Sequence, residues 1–339
     1  MNKITKIVLG AGSAIAICCG GLVVHAGGWD NFKLRYFHLT SHLHDQDREF
    51  NDIRKQAIAL EESSRIALNE LLNGGPPKDG IPSIDDPKFD TAQTTPFAGE
   101  ETVIGVVING EAKAYPFGIM NWHEIVNDTV GGKNITVTYC PLCDTIVAFD
   151  RDKTTFGVSG KLYQSCLVMY DRTDDTLYSQ PWAMGIIGAN VNQNLDRIPA
   201  VKTTLEAWLR EHPDSKILST DTGHFRDYQT YPYGSYYTDD NIIFPVRNQD
   251  KQPMHPKTIV SYIWEANGET PHNRFAGASL QFAHRDLEQI GAKVVPFNGR
   301  EIRVLWDEKM ETARFEEMDG RIIPSTTAFA FVYPAYFDN

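Results

Sequence analysis

Hydrophobic and polar positions alternate in short bursts along most of this chain, and only near the N-terminus do they form longer runs. An uncharged run from Ile7 to Val24, preceded by Lys3 and Lys6, is just long enough to span a bilayer. From Gln46 to Asn73 the spacing turns helical: Phe50, Ile53, Ala57, Leu60, Ala67 and Leu71 share one stripe, broken only at Ser64. Asn73-Gly74-Gly75-Pro76-Pro77 ends this predicted helix, since Gly supports a left-handed cap and Pro cannot continue. A Pro-, Gly- and Asp-rich stretch over 74–95 reads as an extended loop entering the globular part.

Beyond it, β-branched and aromatic residues cluster between turn residues. Val103–Ile108 and Glu111–Tyr115 flank Asn109-Gly110, a strong hairpin signal. Pro116 to Asn127 predicts a short helix with Pro at its start, and Gly131-Gly132 turns the chain into Asn134–Asp150. There two alternating runs flank Cys140-Pro-Leu-Cys143, which predicts a hairpin with both thiols at its tip. Ile135, Val137 and Tyr139 share one face of the first run; Thr136, Thr138 and Cys140 share the other, and the threonines suggest a partly open face.

Strand-like runs follow near Thr154–Val158, Leu162–Tyr170 and Thr176–Gln180. Thr203 with Glu206 makes a capping box for a helix to about Glu211, and a Tyr-rich loop covers Phe225 to Tyr237. Further strands are predicted at Ile242–Val246, Thr258–Trp264, Val294–Phe297, Glu301–Trp306, Thr312–Phe315 and Ala328–Tyr333. The expected fold is α+β, predominantly antiparallel β with short helices. The expected organisation is a signal peptide or membrane anchor over 1–28, a helical linker over 29–74, and a β-rich globular domain over 75–339. The Thr258 run, with the Asn267-Gly268 and Asn298-Gly299 turns, echoes Val103–Tyr139 as a degenerate internal duplication would.

Composition changes this picture in two places. The net charge of -12 argues against a nucleic-acid partner. Positive charge before the apolar run orients the rest of the chain outside the cytosol, in a periplasmic or other extracytoplasmic space. Val24-His25-Ala26 fits a cleavage site, so a cleaved signal and a retained membrane anchor both suit the run. Ile17 before Cys18 argues against lipid attachment there. Outside this segment Cys140, Cys143 and Cys166 remain, an odd count that argues against a full disulfide framework.

Thiols in Cys-x-x-Cys spacing hold a metal, cycle between dithiol and disulfide, or brace a turn. Strand rather than helix follows Cys143, which favours a metal knuckle. His123, on the helix before the hairpin, would complete a copper or zinc site with Cys140 and Cys143, and Glu124 would orient the imidazole or act in proton transfer. The short 128–133 connection predicts that His123 converges on both sulfurs. Met169 is a candidate axial copper ligand and, on the blander reading, a core residue. The Tyr-rich loop, with His224, Arg226 and Asp227, lines a cleft for a sugar or aromatic ligand or packs as a lid.

A resemblance ties these motifs together. Gly-Pro-Pro-Lys-Asp-Gly-Ile-Pro-Ser-Ile-Asp-Asp-Pro (75–87), Ala-Tyr-Pro (114–116), Asn-Trp-His-Glu-Ile-Val-Asn-Asp (121–128) and Val-Thr-Tyr-Cys-Pro-Leu-Cys (137–143) resemble the domain-of-unknown-function 3179 family. So do Val-Ser-Gly-x-Leu-Tyr (158–163), Met-Tyr-Asp-Arg (169–172) and the Thr-Gly…Arg-Asp-Tyr…Pro-Tyr segment (222–233). The match runs from about residue 74 to about 247 and weakly onward. It implies a bacterial or archaeal envelope protein and brings no activity. Asp144 departs from the Gly usual after the second Cys, and Cys166 stands where the family commonly has Asp. The sequence thus leads to an exported or membrane-tethered protein that binds copper or zinc through Cys140, Cys143 and His123, with Glu124 beside them. A thiol–disulfide oxidoreductase and a ligand-binding module with a structural disulfide are the rivals. Its partner is a small molecule, a metal or another thiol.

Overall fold

Turn chemistry sets the strand boundaries. Asn109-Gly110, Gly131-Gly132 and Asn298-Gly299 all take the paired positive φ values that a two-residue hairpin requires, so each closes antiparallel strands. The computed structural model describes residues 64–251, 254–266, 275 and 277–337. The expected anchor or signal, and most of the expected linker helix, lie outside the described residues.

Among the described residues the first strands and helix are β1 (Leu71–Asn73), β2 (Phe89–Asp90), β3 (Thr102–Ile108), β4 (Glu111–Pro116) and α1 (Phe117–His123). It continues with β5 (Ile125–Val130), β6 (Lys133–Cys140), β7 (Thr145–Asp150), β8 (Phe156–Tyr163), β9 (Cys166–Asp171), β10 (Leu177–Ser179) and β11 (Met184–Ile187). Then come β12 (Arg197–Ile198), β13 (Val201–Thr204), α2 (Leu205–Glu211), β14 (Lys216–Leu218), β15 (Ile259–Ala266) and β16 (Gly277–Ala283). Last are α3 (His284–Ile290), β17 (Ala292–Phe297), β18 (Arg300–Asp307), β19 (Thr312–Glu317), β20 (Thr326–Phe329) and α4 (Val332–Phe337).

The strands form five sheets, ordered β1-β8-β9-β10-β11, β12-β7-β6-β5, β13-β3-β4-β14-β2, β16-β15-β20 and β17-β18-β19. Among them only β14 runs parallel to its neighbour β4. The fold is therefore α+β, rich in antiparallel sheet and sparing in short helices.

The sheet holding β6 and β7 is covered on both faces. Ile135, Val137 and Tyr139 pack with the β3–β4 sheet and α1, while Cys140, Val147 and Phe149 pack with β8–β10 and the C-terminal Phe329–Phe337 segment. A third core lies between β15–β16, α3 and β17–β19. Thr136 and Thr138 are fully buried, which corrects the expectation of a partly open face. Burial is tolerated because each hydroxyl donates: Thr136 to Asn127 Oδ1 at 2.8 Å and Thr138 to the Val147 carbonyl at 2.7 Å.

Five local expectations are corrected. Where residues 64–73 are described they are not helical: Leu68–Glu70 is one 3-10 turn, and β1 pairs with β8, burying Leu71 and Leu72. An available sheet edge overrides a helical stripe there. The helix before the hairpin stops at His123, because Glu124 takes a left-handed φ of 58° and β-branched Ile125 and Val126 enter β5. The single strand Leu162–Tyr170 is two strands, turned at Gln164-Ser165, both with positive φ. The α2 cap is Thr204, whose hydroxyl accepts from Ala207 N at 3.2 Å, and Thr203 sits in β13. Ile242–Val246 is irregular rather than a strand.

Candidate functional site

The hairpin turn Pro141–Asp144 closes with the Cys143 amide donating to the Cys140 carbonyl at 3.3 Å, and Asp144 takes a φ of 51°. Side-chain ties then fix the turn. Asp144, fully buried, is paired with Lys202 and accepts from the Tyr139 hydroxyl at 3.2 Å. The Phe329 amide donates to the Cys143 carbonyl at 2.9 Å, and the Tyr236 hydroxyl donates to the Leu142 carbonyl at 2.7 Å. Asp144 and Lys202 were not legible as site residues, since their meeting depends on β13 and not on local spacing.

Cys140, Cys143 and Cys166 are free thiols, none more than 1% exposed. Cys143 is near enough to both other thiols for each to bear on its proton affinity. Burial pushes Cys140 well above the usual thiol range, and contact with Cys143 and the nearby Glu124 carboxyl add to the rise. Cys143 and Cys166 are raised by burial as well. The resting thiols are therefore protonated. Cys166 joins the group through the Gln164-Ser165 turn, which the sequence reading ran through as continuous strand. Met169 is a buried core residue of β9.

Glu124 is the left-handed cap of α1. Its amide donates to the Met120 carbonyl at 2.8 Å, and its carbonyl accepts from the Tyr139 amide at 2.8 Å. The side chain, 6% exposed, accepts a hydrogen bond from the Tyr233 hydroxyl at 3.0 Å. Burial pushes the carboxyl up to about 7, only partly offset by that bond. Glu124 is thus near enough to raise the Cys140 thiol, with a proton affinity of its own close to neutral pH.

His123 is placed differently. Its Nδ1 is 2.7 Å from the Pro82 carbonyl and its Nε2 is 2.8 Å from the Tyr228 hydroxyl. A carbonyl only accepts, so Nδ1 carries the proton and Nε2 accepts from Tyr228. Tyr228 has then spent its hydrogen, so the Thr222 hydroxyl donates to it. Burial lowers the imidazole to about 4, leaving it neutral. Both ring nitrogens are committed away from the sulfurs, and among the described residues no three His, Cys, Asp or Glu side chains are grouped to hold a metal ion. The expected convergence of His123 with Cys140 and Cys143 is not assembled here, because the strap over Thr222–Tyr237 claims the imidazole.

That strap is fastened to the site along its length. Besides Tyr228, Tyr233 and Tyr236, the Thr230 carbonyl accepts from Trp122 Nε1 at 3.2 Å, and the Tyr237 hydroxyl meets Lys202 at 3.3 Å. Between the strap, α1 and the 74–82 loop lies a cleft of about 700 Å³. Trp122, Glu124, Leu142, Phe225, Tyr231 and Tyr233 are on its wall. None of the three thiols is on this wall; Leu142, between Cys140 and Cys143 in the chain, is. The cleft size and lining suit a small, largely apolar molecule.

No curated protein and no solved structure matches the chain. A family model described as "Protein of unknown function (DUF3179)" matches residues 78–329, a span that holds the strap, all three thiols and all of the cleft wall but Gly74 and Pro76. The chain therefore belongs to the DUF3179 family.

Proposed function

We propose that this chain is a dithiol redox protein in which Cys140 and Cys143 pass two electrons to an acceptor held in the cleft. The observation that carries this reading is the buried Glu124 carboxyl, raised to about 7, beside a protonated Cys140 of a Cys-x-x-Cys pair. Thiols this strongly protonated are poor nucleophiles and need a base. A carboxyl that is half ionised at neutral pH meets that need.

Glu124 takes the Cys140 proton, and the thiolate bonds to the acceptor. Cys143 then attacks the Cys140 sulfur; the S–S bond forms and the acceptor leaves with the electron pair. The acceptor collects the proton from Glu124 and the one from Cys143. In sum, two thiols and an acceptor A give one disulfide and AH2. The uncharged Ile7–Val24 run supports placing this chemistry at or outside a membrane.

The test is a redox titration of the purified chain with peptide mapping of the thiols. A reversible Cys140–Cys143 disulfide with a potential between about -300 and -120 mV is expected. A potential below about -300 mV would mark a structural bond and remove the reading. A copper or zinc centre that adds Cys166 to the pair as a third sulfur is the rival reading, although no such ligand group is assembled among the described residues. Elemental analysis of protein grown with either metal decides it, with about one metal per chain expected on that reading and none on the first.

A further inference from the structure

We propose that the acceptor is a quinone, bound in the cleft between Trp122 and the Tyr231–Tyr233 edge of the strap. The inference rests on the dithiol reading and names its substrate class.

Access is the first argument. Neither Cys140 nor Cys143 is more than 1% exposed, and neither is on the cleft wall, where Leu142 and Glu124 are. A disulfide on the surface of another protein cannot bring its sulfur to such a thiol while the strap is in place. A molecule small enough for a cleft of about 700 Å³ comes against Leu142, which lies between the two cysteines in the chain, and against Glu124, with only that wall to cross. The lining is the second. Trp122, Phe225, Tyr231 and Tyr233 give the wall an aromatic character suited to a planar ring, and the Tyr231 and Tyr233 rings lie 5.6 Å apart.

Hydrogen bonding is the third argument. The Tyr231 hydroxyl is buried with no partner among the described residues, although it lines the cleft close enough to interact with Cys140. A buried hydroxyl without a partner is costly, and an acceptor atom on a ligand would relieve it. The acid form of Glu124 is a second donor on the same wall. Two donors beside a dithiol match the two carbonyl oxygens of a quinone. Asn121 Oδ1, also buried without a partner and also on the wall, can accept from the O–H of the hydroquinone product.

The step balances without a further reactant. The Cys140 thiolate adds to the quinone and one carbonyl oxygen takes a proton from Glu124. Cys143 then attacks the Cys140 sulfur, the C–S bond breaks with its electron pair returning to the ring, and the second oxygen takes the Cys143 proton. Two S–H bonds are lost, one S–S bond and two O–H bonds form, and the quinone is reduced by two electrons. The membrane-length apolar run at the N-terminus suits a lipid-soluble acceptor.

The test uses the reduced full-length chain in detergent with tetramethyl-1,4-benzoquinone, whose fully substituted ring prevents permanent arylation of the thiols. Quinone absorbance and free thiols are followed together, with diamide as a small oxidant that needs no quinone site. One quinone reduced per Cys140–Cys143 disulfide is expected. Tyr231→Phe should slow quinone reduction about tenfold while leaving the diamide reaction within twofold. Disulfide formation with diamide but not with quinone would overturn this inference and leave the dithiol reading standing. Failure with both oxidants would overturn both. Quinone reduction that persists in the Cys140→Ser/Cys143→Ser variant would also overturn the inference.

Discussion

The Tyr139 amide donates to the Glu124 carbonyl at 2.8 Å, so the residue before Cys140 is hydrogen-bonded to the cap of α1. This single backbone bond places the carboxyl-bearing residue alongside the first thiol. It also means that α1 and β6 cannot shift independently, and Glu124 keeps its place when the hairpin moves.

Glu124→Gln should slow oxidation of the Cys140–Cys143 pair by about 100-fold, the usual scale for loss of a positioned base. The wild-type rate should rise with pH through about 7 as the carboxyl ionises. The variant should lack that inflection, and stopped-flow thiol oxidation from pH 5.5 to 8.5 reads both. A variant that keeps the inflection would assign it to another group.

The same carboxyl makes folding depend on pH. Its folded pKa, about 7, lies above its ordinary 4.5, so the folded chain holds the proton more tightly than the unfolded one. That contribution is full below the unfolded value and is lost as pH rises through about 7, by about 3 kcal/mol. Urea midpoints should therefore show Glu124→Gln gaining stability on the wild type between pH 5 and pH 8.

His123 has the opposite sign. Burial holds it down to about 4 against an ordinary 6.5, so the unfolded chain protonates first on acidification. Stability from this source is full above 6.5 and is lost as pH falls through about 4, by up to about 3 kcal/mol. His123→Phe should remove this acid limb. It should also cost about 2 kcal/mol at pH 7, by leaving the Pro82 carbonyl unpaired, while the Tyr228 hydroxyl keeps Thr222. Any metal bound by the wild type should remain bound, because neither ring nitrogen faces a sulfur.

Tyr236→Phe removes the bond to the Leu142 carbonyl and should cost about 1 kcal/mol. Alkylation of Cys140 and Cys143 under native conditions should accelerate severalfold, since this bond holds the strap over the turn. An unchanged alkylation rate would show that other fastenings suffice.

Gly105→Ala should destabilise the chain by about 1–3 kcal/mol. A Cβ there would stand 2.2 Å from the Trp208 ring, which is buried and held by its bond to Ser215 at 2.7 Å. Thermal melts read the effect directly.

Much of this arrangement was legible from spacing, because hairpin dipeptides and alternating runs act locally. Asn109-Gly110 and the Cys140–Cys143 tip needed nothing from elsewhere in the chain. The 64–73 stretch misled because Leu71 and Leu72 suit a helical stripe as well as the edge of β8. His123 is close to the thiols in sequence, but the carbonyl of Pro82 and the hydroxyl of Tyr228 that hold its ring come from distant segments. Asp144 looked like a plain departure from a family pattern until Lys202, on β13, supplied its counter-charge.

The bond from the Phe329 amide to the Cys143 carbonyl joins the hairpin tip to a residue near the far end of the chain. During synthesis the cysteine hairpin emerges long before that partner exists. Until Phe329 and the aromatic residues after it arrive, the thiols lack one wall of their enclosure and stand open to any oxidant in their surroundings. Maturation therefore has a vulnerable interval, and a chain truncated before Phe329 should carry the same sulfurs without the seclusion that restrains them.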